Sequence, residues 1–279
     1  MLKTIRVFGF LILAFPFSCL YAEDGKLEEI RKETKTSSDR SKSESKSSSS
    51  NSSDDDDDSG FGSIFGELFG EIILYTIISP YYLPYKVFDD GYDSPLYFHP
   101  YPYCANEKGY MTDTSDLKVT AFDLSGEYKI YKDDVYGIGL NFKARTSFRL
   151  EVHADYNFLE EKLSNGTTDS LNLGNVNVLY RFAQNNYLLM HSGVGLNILH
   201  DKEDKYGFNY NYSLEIYPIK PMYFSIGLDW GRLGSSNVVR VRAMMGVCYQ
   251  AFELDVGFET YKIGDVNLEG VVFGFKVYF

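Results

Sequence analysis

The sequence has no excess of basic charge, few cysteines, and no apolar run long enough to cross a bilayer as a helix. Its 27 Lys and Arg stand against 39 Asp and Glu, a formal net charge of −12. That excludes a nucleic-acid partner, whose phosphates need a basic surface. Three cysteines are too few for a disulfide scaffold. The leading apolar run, Val7 to Phe17, falls well short of the roughly 20 residues a spanning helix needs. No motif implies a cofactor. Tryptophan occurs once, yet Tyr and Phe number 24 and 21, so aromatics reach 16%. The length of 279 residues allows one large domain with appendages.

Residues 1–22 read as a secretory signal: Lys3 and Arg6 precede the apolar run, and Leu20-Tyr21-Ala22 offers a cleavage site before Glu23. Cys19 after Ser18 would suit lipidation, but Pro16 and Phe17 stand where a lipobox wants Leu and a small residue. Residues 23–60 are rich in Ser, Lys, Glu and Asp and end in Asp54 to Asp58; twelve acids and seven bases leave them net −5. So little apolar surface predicts a disordered linker. In 63–79 the pairs Ile64/Phe65, Leu68/Phe69 and Ile72/Ile73 recur every four residues, an amphipathic helix stopped by Pro80. Residues 80–110 hold five prolines and many tyrosines, so 61–116 as a whole is expected to be this helix and an extended aromatic segment.

From 117 onward the pattern has period two. The stretch Phe148 to Phe158 puts Phe148, Leu150, Val152, Ala154, Tyr156 and Phe158 on one face and Arg149, Glu151, His153, Asp155 and Asn157 on the other. Eleven residues rise roughly 36 Å, and a tilt near 40° leaves about 28 Å of height, matching the apolar band of a membrane barrel. The same alternation marks strands at 119–131, 135–145, 173–182, 187–199, 207–217, 222–232, 238–249, 252–262 and 268–279. Ten strands follow, joined by tight turns on one side and longer stretches (160–170, 200–205, 233–237) on the other. The expected fold is all-β, a ten-stranded antiparallel up-and-down transmembrane barrel.

A soluble barrel with its apolar face inside would alternate equally well, so the polar face decides. Its acids are Asp123, Glu127, Glu151, Asp155, Glu215, Asp229, Glu253, Asp255 and Glu259; its bases are Lys129, Lys143, Arg145, Arg149, Arg181, Arg240, Arg242 and Lys276. Nine against eight suits an interior of paired charges, because an unpaired buried charge is costly. Outward aromatics gather near strand ends, Phe142, Phe148, Phe182, Phe224 and Phe252 at one, Tyr136, Tyr156, Tyr210 and Trp230 at the other, as two interfacial girdles. The chain closes on Phe279, with Val277, Phe275, Phe273 and Val271 at alternate positions before it. This resembles the C-terminal sorting signal of bacterial outer-membrane β-barrel proteins. The resemblance covers 117–279 and implies an outer-membrane location, contact with membrane lipid and handling by the barrel-assembly machinery. An even strand count then puts both barrel ends, and the N-terminal region, on the periplasmic side.

The expected role is structural or interaction-based, with a lumen filled by a charge network of Asp123, Glu127, Arg145, Arg149, Glu151, His153, Asp155, Arg181, Glu215, Asp229, Arg240, Arg242, Glu253, Asp255 and Glu259, and a periplasmic protein partner met through 61–116. A narrow passive channel is the alternative. Ten strands are also similar to the omptins, outer-membrane proteases with Asp and His at the rim, for which His200, Asp201, Asp204 and Asp229 would be the candidates. No omptin motif is present, and His191-Ser192 lacks the His-x-Ser spacing of lipid A deacylase barrels. No catalytic or metal-binding set is assigned. Cys104 and Cys248 are expected to pair, tying the aromatic segment under the barrel.

Overall fold

The computed structural model describes residues 25–35, 86–89, 95–104, 109–112 and 118–279. The signal segment, the expected helix over 63–79 and most of the linker lie outside them. Helix α1 spans Lys26–Glu33. A small hairpin pairs β1 (Tyr97–Phe98) with β2 (Met111–Thr112). Ten long strands follow: β3 Thr120–Tyr131, β4 Val135–Thr146, β5 Leu150–Lys162, β6 Thr168–Gln184, β7 Leu188–His200, β8 Lys205–Ile216, β9 Met222–Leu233, β10 Ser236–Tyr249, β11 Phe252–Ile263 and β12 Val266–Tyr278. Each pairs antiparallel with the next, and β12 closes on β3.

The period-two faces fall as the alternation predicts. Along β3, Phe122, Leu124, Tyr128 and Ile130 face out, while Asp123, Ser125, Glu127 and Lys129 are buried. The outward face is apolar all round: Leu140 is 56% exposed, Leu196 55% and Leu254 59%. Such a surface suits lipid rather than water, and closure leaves no unpaired strand edge in it. Outer aromatics stack across strands near the chain termini, Phe122 on Phe142 and Phe252 on Phe275. Phe182 departs from the girdle. The register shifts at a bulge between Arg181 and Ala183, and Phe182 packs against Tyr212 at 5.6 Å. The expected tail Val277 and Phe275 sit opposite Leu124 and Gly126, and the Phe279 amide donates to Phe122 O at 2.9 Å.

Two differences concern the ends. The expected 160–170 loop is mostly strand. Glu160, Glu161 and Lys162 break the apolar alternation but still pair with Ser170, Asp169 and Thr168, leaving a short turn over 163–167. Both ends of the barrel are therefore closely turned. The second difference is α1, inside the region expected to be a linker. Leu27 and Ile30 lie three apart on one helix face, with Glu28 and Glu29 in the first turn and Arg31 and Lys32 in the last, the charge order that a helix dipole favours. That pattern is diluted by the Ser/Asp composition around it.

The two mouths of the barrel hold different N-terminal pieces. The mouth near Thr120 and Tyr278, here the terminal mouth, holds residues 86–89, 95–104 and 109–112. The opposite, distal mouth holds α1 in a collar of Tyr131, Leu159, Leu171, Leu233, Ile263 and Leu268. The expectation that the whole N-terminal region sits on one side fails for this helix. Replacing outward Leu140 by Arg puts a charge near mid-membrane; it is expected to lower folding stability in lipid vesicles by about 2–4 kcal/mol, read by urea titration of the reconstituted protein.

Candidate functional site

Inside the barrel the alternate residues form a continuous polar network. Arg145, fully buried, bonds Asp123, grips both Glu215 oxygens at 2.9 Å and lies 3.6 Å from Glu151. Arg181 bonds Glu151 at 2.5 Å and the Thr146 carbonyl at 2.7 Å. His153 and His191 stand 3.0 and 3.2 Å from the same Glu151. Towards the distal mouth, Glu259 accepts from Lys129 at 3.1 Å, from Arg240 at 2.6 Å and from the Tyr131 hydroxyl. Arg240 also reaches Asp155 at 2.8 Å, and Arg242 bonds Glu127. Asparagine amides link these groups: Asn175 donates to Asp155, Asn177 to Asn175, and Asn209 to both Asn177 and Asp229.

Most of the expected network members therefore meet. Three depart. Arg149 adopts φ 69 in the turn after β4 and pairs with Asp89 at 2.9 Å, at the terminal mouth rather than in the lumen. Asp229 accepts from the amides of Asn209 and Asn211 and makes no ion pair among the described residues. Asp255 makes no ion pair among the described residues. The expected Cys104–Cys248 bridge is not formed: both thiols are free. Cys248 is buried and donates to Glu253 at 3.3 Å, while Cys104 stays exposed. Among the described residues the lumen holds a chamber of about 120 Å³, lined by Glu127, Lys143, Asp155, Asp229, Arg242 and Asp255 among others. At roughly 30 Å³ per water it has room for about four.

At the terminal mouth the hairpin of β1 and β2 forms a stopper. Phe98, Tyr110 and Met111 are buried against Leu189, Tyr217, Tyr223 and Tyr278. Lumen cations cap it from within: Arg181 lies 5.2 Å over Phe98, Arg145 5.5 Å over Tyr110 and Lys276 4.3 Å over Tyr223. Tyr103 fixes the stopper to the rim by donating to Met222 O at 2.6 Å. Residues 86–89 join here as well, since Asp89 also accepts from the Gln184 amide at 3.1 Å.

The distal mouth is a helix clamp that sequence reasoning did not foresee. Glu161 caps the start of α1, accepting from the Lys26 amide at 2.7 Å and the Leu27 amide at 2.9 Å. Leu27 and Ile30 are fully buried in the collar, worth about 1.5–3 kcal/mol each. Arg31 forks onto Asp169 and Asp201, with the Ser170 carbonyl 2.7 Å away. The bond to Asp169 raises the pKa of this guanidinium against the lowering by burial, so it stays charged. Ser236 donates to the Glu33 carbonyl at 2.7 Å at the helix end. Gly234, at φ +59, lets the β9–β10 turn approach; a Cβ there would stand 2.2 Å from Thr34 O. The signals for this site were present: apolar residues at i and i+3, then arginine, between acidic and basic turns.

The rim positions suggested by omptin likeness are not brought together. His200 pairs with exposed Asp204 at 2.6 Å, Asp201 serves Arg31, and Asp229 lies in the lumen. Fold and interior together define a β-barrel of the outer-membrane type, apolar outside and lined with paired charges within. No protein-family model matches the sequence, and no curated protein matches it. Among solved structures, the crystal structure of Ail, the attachment invasion locus protein of Yersinia pestis, is similar at 12% identity over 57% of this chain and 96% of that chain, with a TM-score of 0.25. At that score the likeness adds nothing to a reading that rests on the chain's own strand order.

Arg145→Met leaves Asp123 buried without its cation and Glu215 with Lys143 alone, and is expected to destabilise the barrel by about 3–5 kcal/mol. Urea titration of the vesicle-reconstituted variant checks this; a loss below 1 kcal/mol would mean that water reaches the carboxylates freely.

Proposed function

We propose that the protein resides in a bacterial outer membrane as a non-conducting barrel with a structural or interaction role, its terminal mouth toward the periplasm. One observation carries this reading: cations and carboxylates from nearly every strand lock across the lumen, above an aromatic stopper that fills the terminal mouth. A pore that passed solutes would need a continuous polar path, and among the described residues the pairs Arg145–Glu215, Arg240–Asp155 and Lys129–Glu259 span the space such a path would take. No catalytic activity is assigned: Ser213 Oγ stands 3.4 Å from His191 Nδ1, whose Nε2 lies 3.2 Å from Glu151, but His191 and Glu151 are fully buried within the charge network. A periplasmic protein partner would meet the outer side of the stopper, where Pro95 and Cys104 are exposed. The polar side chains are placed to hold the barrel shut and rigid, as a platform for contacts at its ends.

The chamber favours one second reading, a narrow channel. Lys143 and Arg242 keep 22% and 20% of their side-chain surface open, and their displacement would join the chamber to a mouth. Planar-bilayer recording of the full mature chain separates the two. The expected result is no unitary steps. Steps that change size or ion preference with Arg242→Ala would replace the closed barrel by the channel.

A further inference from the structure

The distal clamp recognises a helix with parts supplied wholly by the barrel: the Glu161 carboxylate, the apolar collar, the Asp169 and Asp201 pair, and the serines of the β9–β10 turn. All sit on paired strands or tight turns, so the cup is formed before a helix arrives. An eight-residue helix is marginal in water by itself. The mouth supplies its cap, its buried face and its counter-charge.

Chain connectivity decides what can fill this cup in a membrane. Lys35 leaves α1 at the distal mouth, whereas Asp89 is bonded at the terminal mouth. About fifty residues join these points, Asp54 to Asp58 among them. Passing that polar segment through hydrocarbon is prohibitive. Passing it through the lumen needs roughly nine extended residues to cover about 30 Å, and they would have to displace the pairs that span it, Arg145–Glu215, Arg240–Asp155 and Lys129–Glu259. Once the barrel is embedded with its lumen closed, a helix reaches the distal cup only from the distal side.

We propose that the distal mouth is a receptor site for a short amphipathic helix of another polypeptide, presented from outside the cell, with two apolar residues three apart followed at once by arginine. Helix α1, which carries Leu27, Ile30 and Arg31 in that spacing, is the template of the ligand. The acidic cup selects for the arginine, and Glu161 selects for a helix whose first amides are free. This inference rests on the closed, outward-facing barrel proposed above.

The test uses the full mature chain carrying Ile30→Glu, so that its own 26–33 segment cannot compete for the cup in any molecule, displayed on intact cells. Correct folding is confirmed by heat-modifiable gel migration. Should that variant fail to fold, Leu27→Asp serves the same purpose. The probe is a fluorescent peptide of residues 25–35 labelled at its C-terminus. Saturable binding is expected, weakened at least tenfold by Arg31→Ala in the peptide and equally by Asp169→Asn with Asp201→Asn in the barrel. Three results overturn the proposal: no saturable binding, binding indifferent to Arg31, or binding only after the outer membrane is permeabilised. Uptake of a second whole barrel, seen by cross-linking with no uptake of free peptide, overturns it also. Conductance of the same protein is recorded separately, so an open lumen and an empty cup give different signatures.

Discussion

In a bilayer, a backbone amide without a partner has no water to turn to, and every other feature of this chain follows from meeting that demand. Ten antiparallel strands meet it only if the last pairs with the first, which β12 does with β3 from Gly270 opposite Tyr131 to Tyr278 opposite Asp123. Closure fixes one face to lipid and the other to an interior a few side chains wide. Lipid takes the leucines, valines and aromatics. The interior then has to be settled among its own residues, and charges settled there have to be neutralised across the lumen.

That neutralisation explains how much could be read from the sequence. Faces depend on parity alone, so β4, expected over 135–145, is found at Val135–Thr146, and β9, expected over 222–232, at Met222–Leu233. Parity also sorted the charged residues inward. It could not say who meets whom, because partners such as Lys129 and Glu259, or Asp155 and Arg240, are far apart in sequence and meet by barrel curvature. Arg149 shows the limit: its parity matched the lumen, but the turn at Ser147–Arg149 swings it to Asp89. At β6 the alternation faded where Thr168 to Ser170 are polar, although their backbone pairing continues. Pairing is a property of both strands, and a hydropathy pattern registers only one.

The helix clamp was missed for a different reason. Averaged over 23–60, α1 vanishes into a polar tail, and its stability comes from the barrel rather than from its own propensity. Leu27, Ile30 and Arg31 have meaning only once β5, β6 and the turn after β7 have placed Glu161, Asp169 and Asp201 around them. The disulfide expectation failed on similar grounds. Two cysteines in an oxidising compartment suggested pairing, but Cys248 is enclosed beneath the stopper and turned to Glu253, while Cys104 is exposed and both thiols are free.

The two mouths use the same physics with opposite emphasis. At the terminal mouth an aromatic stopper seals by area, and lumen cations rest on its rings, so the seal and the charge network hold each other in place. At the distal mouth the apolar contact is small and the charged contacts are specific: one carboxylate for a helix start, two for one arginine. A wide apolar contact supplied by neighbouring chain is a fixed seal, because it never has to leave. A small apolar contact with directed charges discriminates among occupants, since an arginine left unpaired against Asp169 and Asp201 costs more than a lost methyl group. The interior network makes this division workable. It spans the lumen between the mouths, with Arg145 on Glu215 nearer one and Arg240 on Glu259 nearer the other.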